Sequence, residues 1–357
     1  MKNIKNILAV AVLSGATAVT FAGNETRSGQ AGATELLINP WARSSGFGNA
    51  NASLIKGLES QFLNVAGLAH VKKTELILTR TNYLMGSGIT FNSIGFAQHV
   101  GEAGVIGVSI NSMSFGKIEV TNVDNPEGGV GYYSPSLTRI NLSYAKTFSN
   151  NIYGGVNIKI INEGIANLNA SGVAVDAGVQ YQTNLKKGGP TNMHFGISLQ
   201  NVGPTLKFSG DGVSFRGYAP QNGYVPPKGN SQTTLTVEQR VNEFEMPTLL
   251  NISAAYDIAL AEQHRLSPSI NFISNSFTKD QFCAGAEYAY KNMFMIRTGY
   301  IAEKKSDTYI NIFRGFNAGA SVEFPLGKKG TTLALDYAFR DTRAYKGVHS
   351  VGLRLNL

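Results

Sequence analysis

The stretch TLALDYAFR, residues 332–340, sorts its side chains onto two faces: Leu333, Leu335, Tyr337 and Phe339 share one, Asp336 and Arg340 the other. A period of two belongs to a strand, whose successive side chains point to opposite sides. One side of this strand meets oil and the other a polar medium. The pattern recurs along the chain. In LLNISAAYDIAL (249–260), Leu250, Ile252, Ala254, Tyr256 and Ile258 oppose Asn251, Ser253, Ala255 and Asp257. NMHFGISLQ (192–200) sets Met193, Phe195, Ile197 and Leu199 against His194, Gly196, Ser198 and Gln200, and GVAVDAGVQYQT (172–183) carries Asp176 and Gln180 on its polar side. The last residues, VGLRLNL (351–357), place Val351, Leu353, Leu355 and Leu357 together with Arg354 and Asn356 behind.

Alternation predicts fourteen strands, near 74–82, 92–100, 104–113, 137–148, 151–162, 171–184, 192–202, 248–260, 263–273, 281–290, 293–301, 312–325, 331–340 and 347–357. The connections alternate in length. Short ones are VGEAG, FSNN, LKKGGPT, AEQ, KN and LGKKGT; long ones include 114–136, 203–247, 274–280, 302–311 and 341–346. Tight turns at one end, long loops at the other and an even strand number describe an outer-membrane β-barrel. On this reading the short and long sets fall on opposite ends without exception. Closure also removes the open edges that so many strands would otherwise present.

Composition agrees. The chain is 43% apolar and 15% charged, with 40 glycines, 19 phenylalanines and 15 tyrosines, a mixture suited to strands and turns. No run approaches the roughly 18 apolar residues of a membrane-spanning helix. Residues 1–22 read as a secretory leader, with Lys2 and Lys5 at its charged start and Thr20-Phe21-Ala22 as the cleavage site. Net charge is +8, without a basic cluster interleaved with aromatics, so no nucleic-acid partner is expected. Cys283 is the only cysteine, which rules out an internal disulfide. His70, His99, His194, His264 and His349 show no metal-ligand spacing, and no nucleophile elbow occurs. The reading therefore includes no metal, no cofactor and no catalysis.

A barrel of fourteen strands leaves room inside. Residues 23–73 are the expected occupant, a plug or hatch ahead of the barrel proper at 74–357. They lack a two-faced strand, and Ile55, Leu58, Phe62 and Val65 recur at helix spacing behind a Ser53 cap. Trp41, Arg43, Phe47, Asn64, Gly67 and Leu68 are the plug residues expected at the lumen, with Asp336 and Arg340 among the wall residues facing them. Lys159, Asp176, Asp257, Glu287, Arg297, Glu323 and Arg354 also fall on polar faces, and their mixed signs point to ion pairing with the plug. In the long loop, FRGYAPQNGYVPPKG gathers Phe215, Arg216, Tyr218, Tyr224 and Lys228, residue types suited to anchoring a protein.

ARSSGFGNANAS (42–53) followed by NVAGLA (64–69) is similar to the start of the PorV/PorQ family, allied to the FadL-like fourteen-stranded barrels. The matching residues are Ala42, Arg43, Gly46, Gly48, Asn64, Ala66, Gly67 and Leu68. The resemblance implies an accessory of type IX secretion that binds a cargo signal domain or a translocon subunit through its exterior loops, seated in outer-membrane lipid. The alternative is a FadL-type passive importer of hydrophobic small molecules. A surface protein with a purely structural role is the third reading.

Overall fold

The computed structural model describes residues 27, 29–185, 191–218, 234–303, 311–327 and 330–357; the expected leader at 1–22 lies outside them. Fourteen antiparallel strands form one closed sheet. They are β1 (Thr74–Tyr83), β2 (Ile89–His99), β3 (Val105–Ser114), β4 (Ser136–Ser149), β5 (Ile152–Ile165), β6 (Leu168–Thr183) and β7 (Met193–Val202), followed by β8 (Leu249–Tyr256), which resumes as Ile258–Ala261 after a break. The circuit continues through β9 (His264–Asn275), β10 (Gln281–Tyr290), β11 (Phe294–Glu303), β12 (Phe313–Leu326), β13 (Thr331–Thr342) and β14 (Val348–Asn356). Each strand pairs with its neighbours in chain order, and β14 returns to β1 through Leu76↔Leu355 and Leu78↔Leu353. Closure leaves no unpaired strand edge in the ring.

Both faces match the alternation. Outward Ile94, Ile197, Ile252, Ile296 and Leu335 are 47–62% exposed, whereas inward Lys159, Asp176, Gln180 and Glu287 are 0–4% exposed. Bare apolar side chains around a whole circumference far exceed the patches that water-soluble proteins tolerate. A bilayer is the solvent that suits them, so the strands span a membrane, in the manner of outer-membrane barrels.

Chain entry at Thr74 and exit at Asn356 lie at the end with the shorter turns, which is the periplasmic end. The rule that every exterior connection is long holds only on average: 84–88, 276–280 and 343–347 are five residues each, no longer than 100–104 at the periplasmic end, and one exterior connection is shorter still. β5 and β6 join at the exterior through Ala166 and Asn167 alone, with Ala166 at φ 48°. Residues 163–170, which the alternation leaves in a loop, instead extend both strands, through Glu163↔Ala170 and Ile165↔Leu168. Beyond the ring, Ser214–Tyr218 pairs with Thr234–Glu238 as a small exterior hairpin.

Candidate functional site

The lumen is occupied by the chain's own N-terminal part, which runs its full length. At the exterior end Arg27 Nη2 lies 2.6 Å from Glu245 Oε1, its guanidinium is 4.2 Å from the Phe277 ring, and Gly32 N–H donates to the Glu245 carbonyl at 3.0 Å. Ala33 and Leu36 then pack with Ile161, Ala174, Leu206 and Met246. At the periplasmic end His70 stacks on Tyr153 with ring centroids 4.2 Å apart, and the chain passes into β1.

Between these ends lies an apolar cluster. Trp41, Ile55, Leu58, Phe62 and Leu68 pack with Ile77, Ala97, Val105 and Ala145 of β1–β4. Burial of each large side chain contributes about 1.5–3 kcal/mol. The spacing of Ile55, Leu58, Phe62 and Val65 does not come from a helix. Only Ser60–Leu63 of this stretch is α-helical; it begins after Glu59 with no side-chain cap, Ser53 lies well ahead of it, and the preceding Gly57 sits at φ +79°, which a helix cannot contain. These residues are apolar because the barrel surrounds them on all sides.

Polar brackets hold the segment to the wall. Gln61 donates to Ser143 Oγ at 2.7 Å and accepts from Ser109 Oγ at 2.6 Å. Asn64 Nδ2 donates to the Val179 carbonyl at 3.1 Å, while its Oδ1 accepts from Ala66 N–H at 3.2 Å and so shapes the turn over Val65–His70. From the wall, Gln180 donates to the Ala52 and Ile55 carbonyls at 3.1 and 3.0 Å, and Glu75 accepts from Leu58 N–H at 2.6 Å. Glycine faces the segment at its closest approaches. A Cβ on Gly95 would strike Leu58, one on Gly299 the Phe47 backbone, one on Gly178 the Asn64 amide and one on Gly319 the Gly46 backbone. These inward glycines were not singled out from sequence, although they occupy the polar-face positions of the alternation.

Trp41, Phe47, Asn64, Gly67 and Leu68 are all buried. Arg43 is 3.7 Å from Glu287, which ties the segment to a strand of the wall, as Arg27 ties it to the exterior loop at Glu245. The charged residues otherwise pair within the wall, contrary to the expectation that they serve the plug. Lys159 Nζ lies 2.7 Å from Asp176; Glu287 also binds Arg297 at 3.0 Å and Arg265 at 3.1 Å; Arg354 reaches Glu323 at 3.4 Å and Asp336 at 3.7 Å. The register brings complementary charges together at short range, with Arg297 and Glu287 as direct cross-strand partners. Arg340 stacks on Phe313 at 4.2 Å toward the exterior end.

One inward row is unsatisfied. Thr79, Ser93, Asn111 and Arg139 are consecutive cross-strand partners on β1–β4, and each is buried. Among the described residues, Thr79 Oγ1, Ser93 Oγ, both amide atoms of Asn111 and the Nε and Nη1 of Arg139 have no hydrogen-bond partner. A buried guanidinium without an ion pair is expensive. The nearby Glu35 is a weak counter-charge, because burial and then the Glu163 carboxylate push its pKa up to about 7. Arg139 is also the cross-strand partner of Ile161, which belongs to the Leu36 cluster. Apolar surface and unpaired donors therefore adjoin.

Toward the periplasm two polar cavities, of about 500 and 320 Å³, meet at Asp257, Arg265 and Asn292. The first opens along Asn192, Glu262 and Lys291; the second ends at Arg43, Lys56 and Glu59 of the segment. In the exterior hairpin Phe215 and Arg216 are exposed; the Tyr218 side chain, Tyr224 and Lys228 lie outside the described residues.

Comparison with known proteins gives neither a matching family model nor a matching curated protein. Solved structures do match. The chain resembles the toluene transporter TodX of Pseudomonas putida at 12% identity and a TM-score of 0.54, over 88% of this chain and 96% of that one. It also resembles the toluene transporter TbuX of Ralstonia pickettii at 12% identity and a TM-score of 0.50, over 87% and 97%. The fold is thus that of the FadL-like fourteen-stranded barrels.

Proposed function

We propose that the protein is a passive channel that carries hydrophobic small molecules across the outer membrane, with its N-terminal segment as the plug. The observation that carries this reading is the unsatisfied row Thr79, Ser93, Asn111 and Arg139 beside the apolar cluster of Ile161 and Leu36. Such a place suits a molecule with an apolar body and one polar or anionic end. The passenger's polar end takes over the role that Glu35 fills weakly, and its body replaces Leu36 against the wall. Displacing this upper part of the segment loosens the part below, which opens the way toward the cavities at Asp257 and Arg265. The likeness to two toluene transporters supports a hydrophobic cargo.

Trp41, the sole tryptophan, reports on the lumen. Titration with decanoate, and separately with toluene, is expected to give saturable quenching of its fluorescence, and expression in a host lacking its own uptake channel is expected to speed decanoate entry. Unchanged fluorescence together with unchanged entry refutes the reading.

A second reading, a PorV/PorQ-like accessory of type IX secretion, draws on the N-terminal resemblance and on the exterior hairpin. There Phe215, Leu235 and Val237 share one face and are 36–54% exposed, an apolar surface suited to a protein. A photo-crosslinker at position 215 that captures a cargo signal domain or a translocon subunit favours this reading over the first; capture of neither removes it.

A further inference from the structure

The outer face of β1–β3 carries a polar group where lipid-facing strands are otherwise apolar. Arg80, Asn92 and Ser112 point outward and are adjacent across the ladder, through Arg80↔Asn92 and Asn92↔Ser112. They stand near the exterior ends of their strands: Arg80 is three residues before the end of β1, Asn92 three after the start of β2, Ser112 two before the end of β3. No hydrogen bond or ion pair engages their side chains among the described residues. Two residues nearer the periplasm, about 7 Å along each strand, the outward positions become Leu78, Ile94 and Ile110.

These side chains, with Leu335, Val351 and Leu353 of β13 and β14, line an open groove of about 590 Å³ on the membrane side of the wall. No acid lines it. The apolar members are 41–53% exposed. An outward arginine on a barrel is costly at the bilayer centre and nearly free at the interface, so its presence marks the headgroup level of the exterior leaflet. The groove has a direction: donors at the exterior, hydrocarbon toward the membrane centre. A lipid of the exterior leaflet has the same direction, and a lipid of the periplasmic leaflet has the reverse.

We propose that this groove binds one lipid of the exterior leaflet whose headgroup ends in an unblocked phosphate monoester, with the phosphate on Arg80, Asn92 and Ser112 and an acyl chain along Leu78, Ile94 and Val351. The guanidinium supplies two parallel donors to phosphate oxygens, and the amide and hydroxyl supply the others. The site is independent of the lumen and of what passes through it.

Native mass spectrometry of the detergent-solubilised protein tests this with dioleoyl phosphatidic acid as the probe, against dioleoyl phosphatidylcholine and inorganic phosphate. The whole chain is expected to retain one phosphatidic acid at concentrations where phosphatidylcholine is lost, with inorganic phosphate failing to displace it. Arg80→Gln is expected to weaken retention by at least about fivefold, as one basic group at a lipid surface does. Lys146→Gln, which removes a charge from the outer face at the periplasmic end, is expected to leave it unchanged. Heat-modifiable gel migration confirms that both variants fold. Equal retention in Arg80→Gln, equal loss in both variants, indifference to headgroup, or displacement by inorganic phosphate each overturns the proposal.

Discussion

Replacing Leu58 by alanine separates the seal from the barrel. Leu58 is fully buried at the centre of the lumen cluster, where Gly95 and Gly107 of β2 and β3 leave the space for its methyl groups. Neighbouring backbone is held by the sheet and cannot collapse into the vacated volume, so the cost lies in the range for rigid cores, about 2.7–5.0 kcal/mol. The side chain belongs to the inner segment, so this cost falls on the docked state of that segment and not on the fourteen-strand ladder. At about 1.4 kcal/mol per factor of ten, the undocked population rises roughly 100- to 4,000-fold. Planar-bilayer recording reads this as frequent openings of a pore that is otherwise quiet. Gel migration after heating reads barrel stability and is expected to stay close to that of the parent. Unaltered conductance combined with a weakened barrel would refute the reasoning, because Leu58 would then be part of the wall's stability and not of a separable plug.

Arg139→Met removes a buried charge that has no ion pair among the described residues, so barrel stability to urea is expected to hold or rise while decanoate quenching of Trp41 is lost; a clear loss of stability shows that Arg139 is compensated in the empty protein. Glu287→Gln leaves three guanidinium groups around a neutral amide, and the fully buried Arg297 makes this a loss of about 3–5 kcal/mol in urea unfolding, whereas Arg43→Gln, whose side chain is a quarter exposed and lies 3.7 Å from Glu287, costs far less. Burial, and then the Lys56 ammonium, push the His70 imidazole down from its ordinary value near 6.5 to about 4. The undocked state therefore takes up a proton that the docked state refuses, and docking weakens as pH falls from 6.5 toward 4. Glu35 acts with the opposite sign between 4.5 and 7, so the measurement is a difference: His70→Gln is expected to show fewer acid-induced openings than the parent, and identical pH profiles contradict the assignment.

The wall was legible because its two faces meet two solvents. Every one of the fourteen strands lies within about three residues of its place in the alternation, and Leu333, Leu335 and Tyr337 face the bilayer while Asp336 faces the lumen. The exterior turn at Ala166–Asn167 escaped because residues 163–170 carry only two large apolar side chains, Ile165 and Leu168, too few to show an alternation. The interior was harder to read. Ile55, Leu58, Phe62 and Val65 repeat at helical intervals, yet Gly57 breaks the helix and the surrounding wall supplies the burial that a helix face would otherwise need. Which lumen charges pair depends on the exact register between consecutive strands, which alternation alone does not set, so Lys159 with Asp176 and Arg265 with Glu287 emerge only with that register. Gly95 and Gly299 read as weak points in their strands until the segment that presses on them is in place.

Conductance of the protein with and without residues 39–70 tests the central claim most directly. With gel migration confirming a folded barrel in both, the account predicts a closed state for the whole chain and a steady open pore for the shortened one. Equal, low conductance in the two would contradict it, because the lumen would then be blocked by something other than this segment.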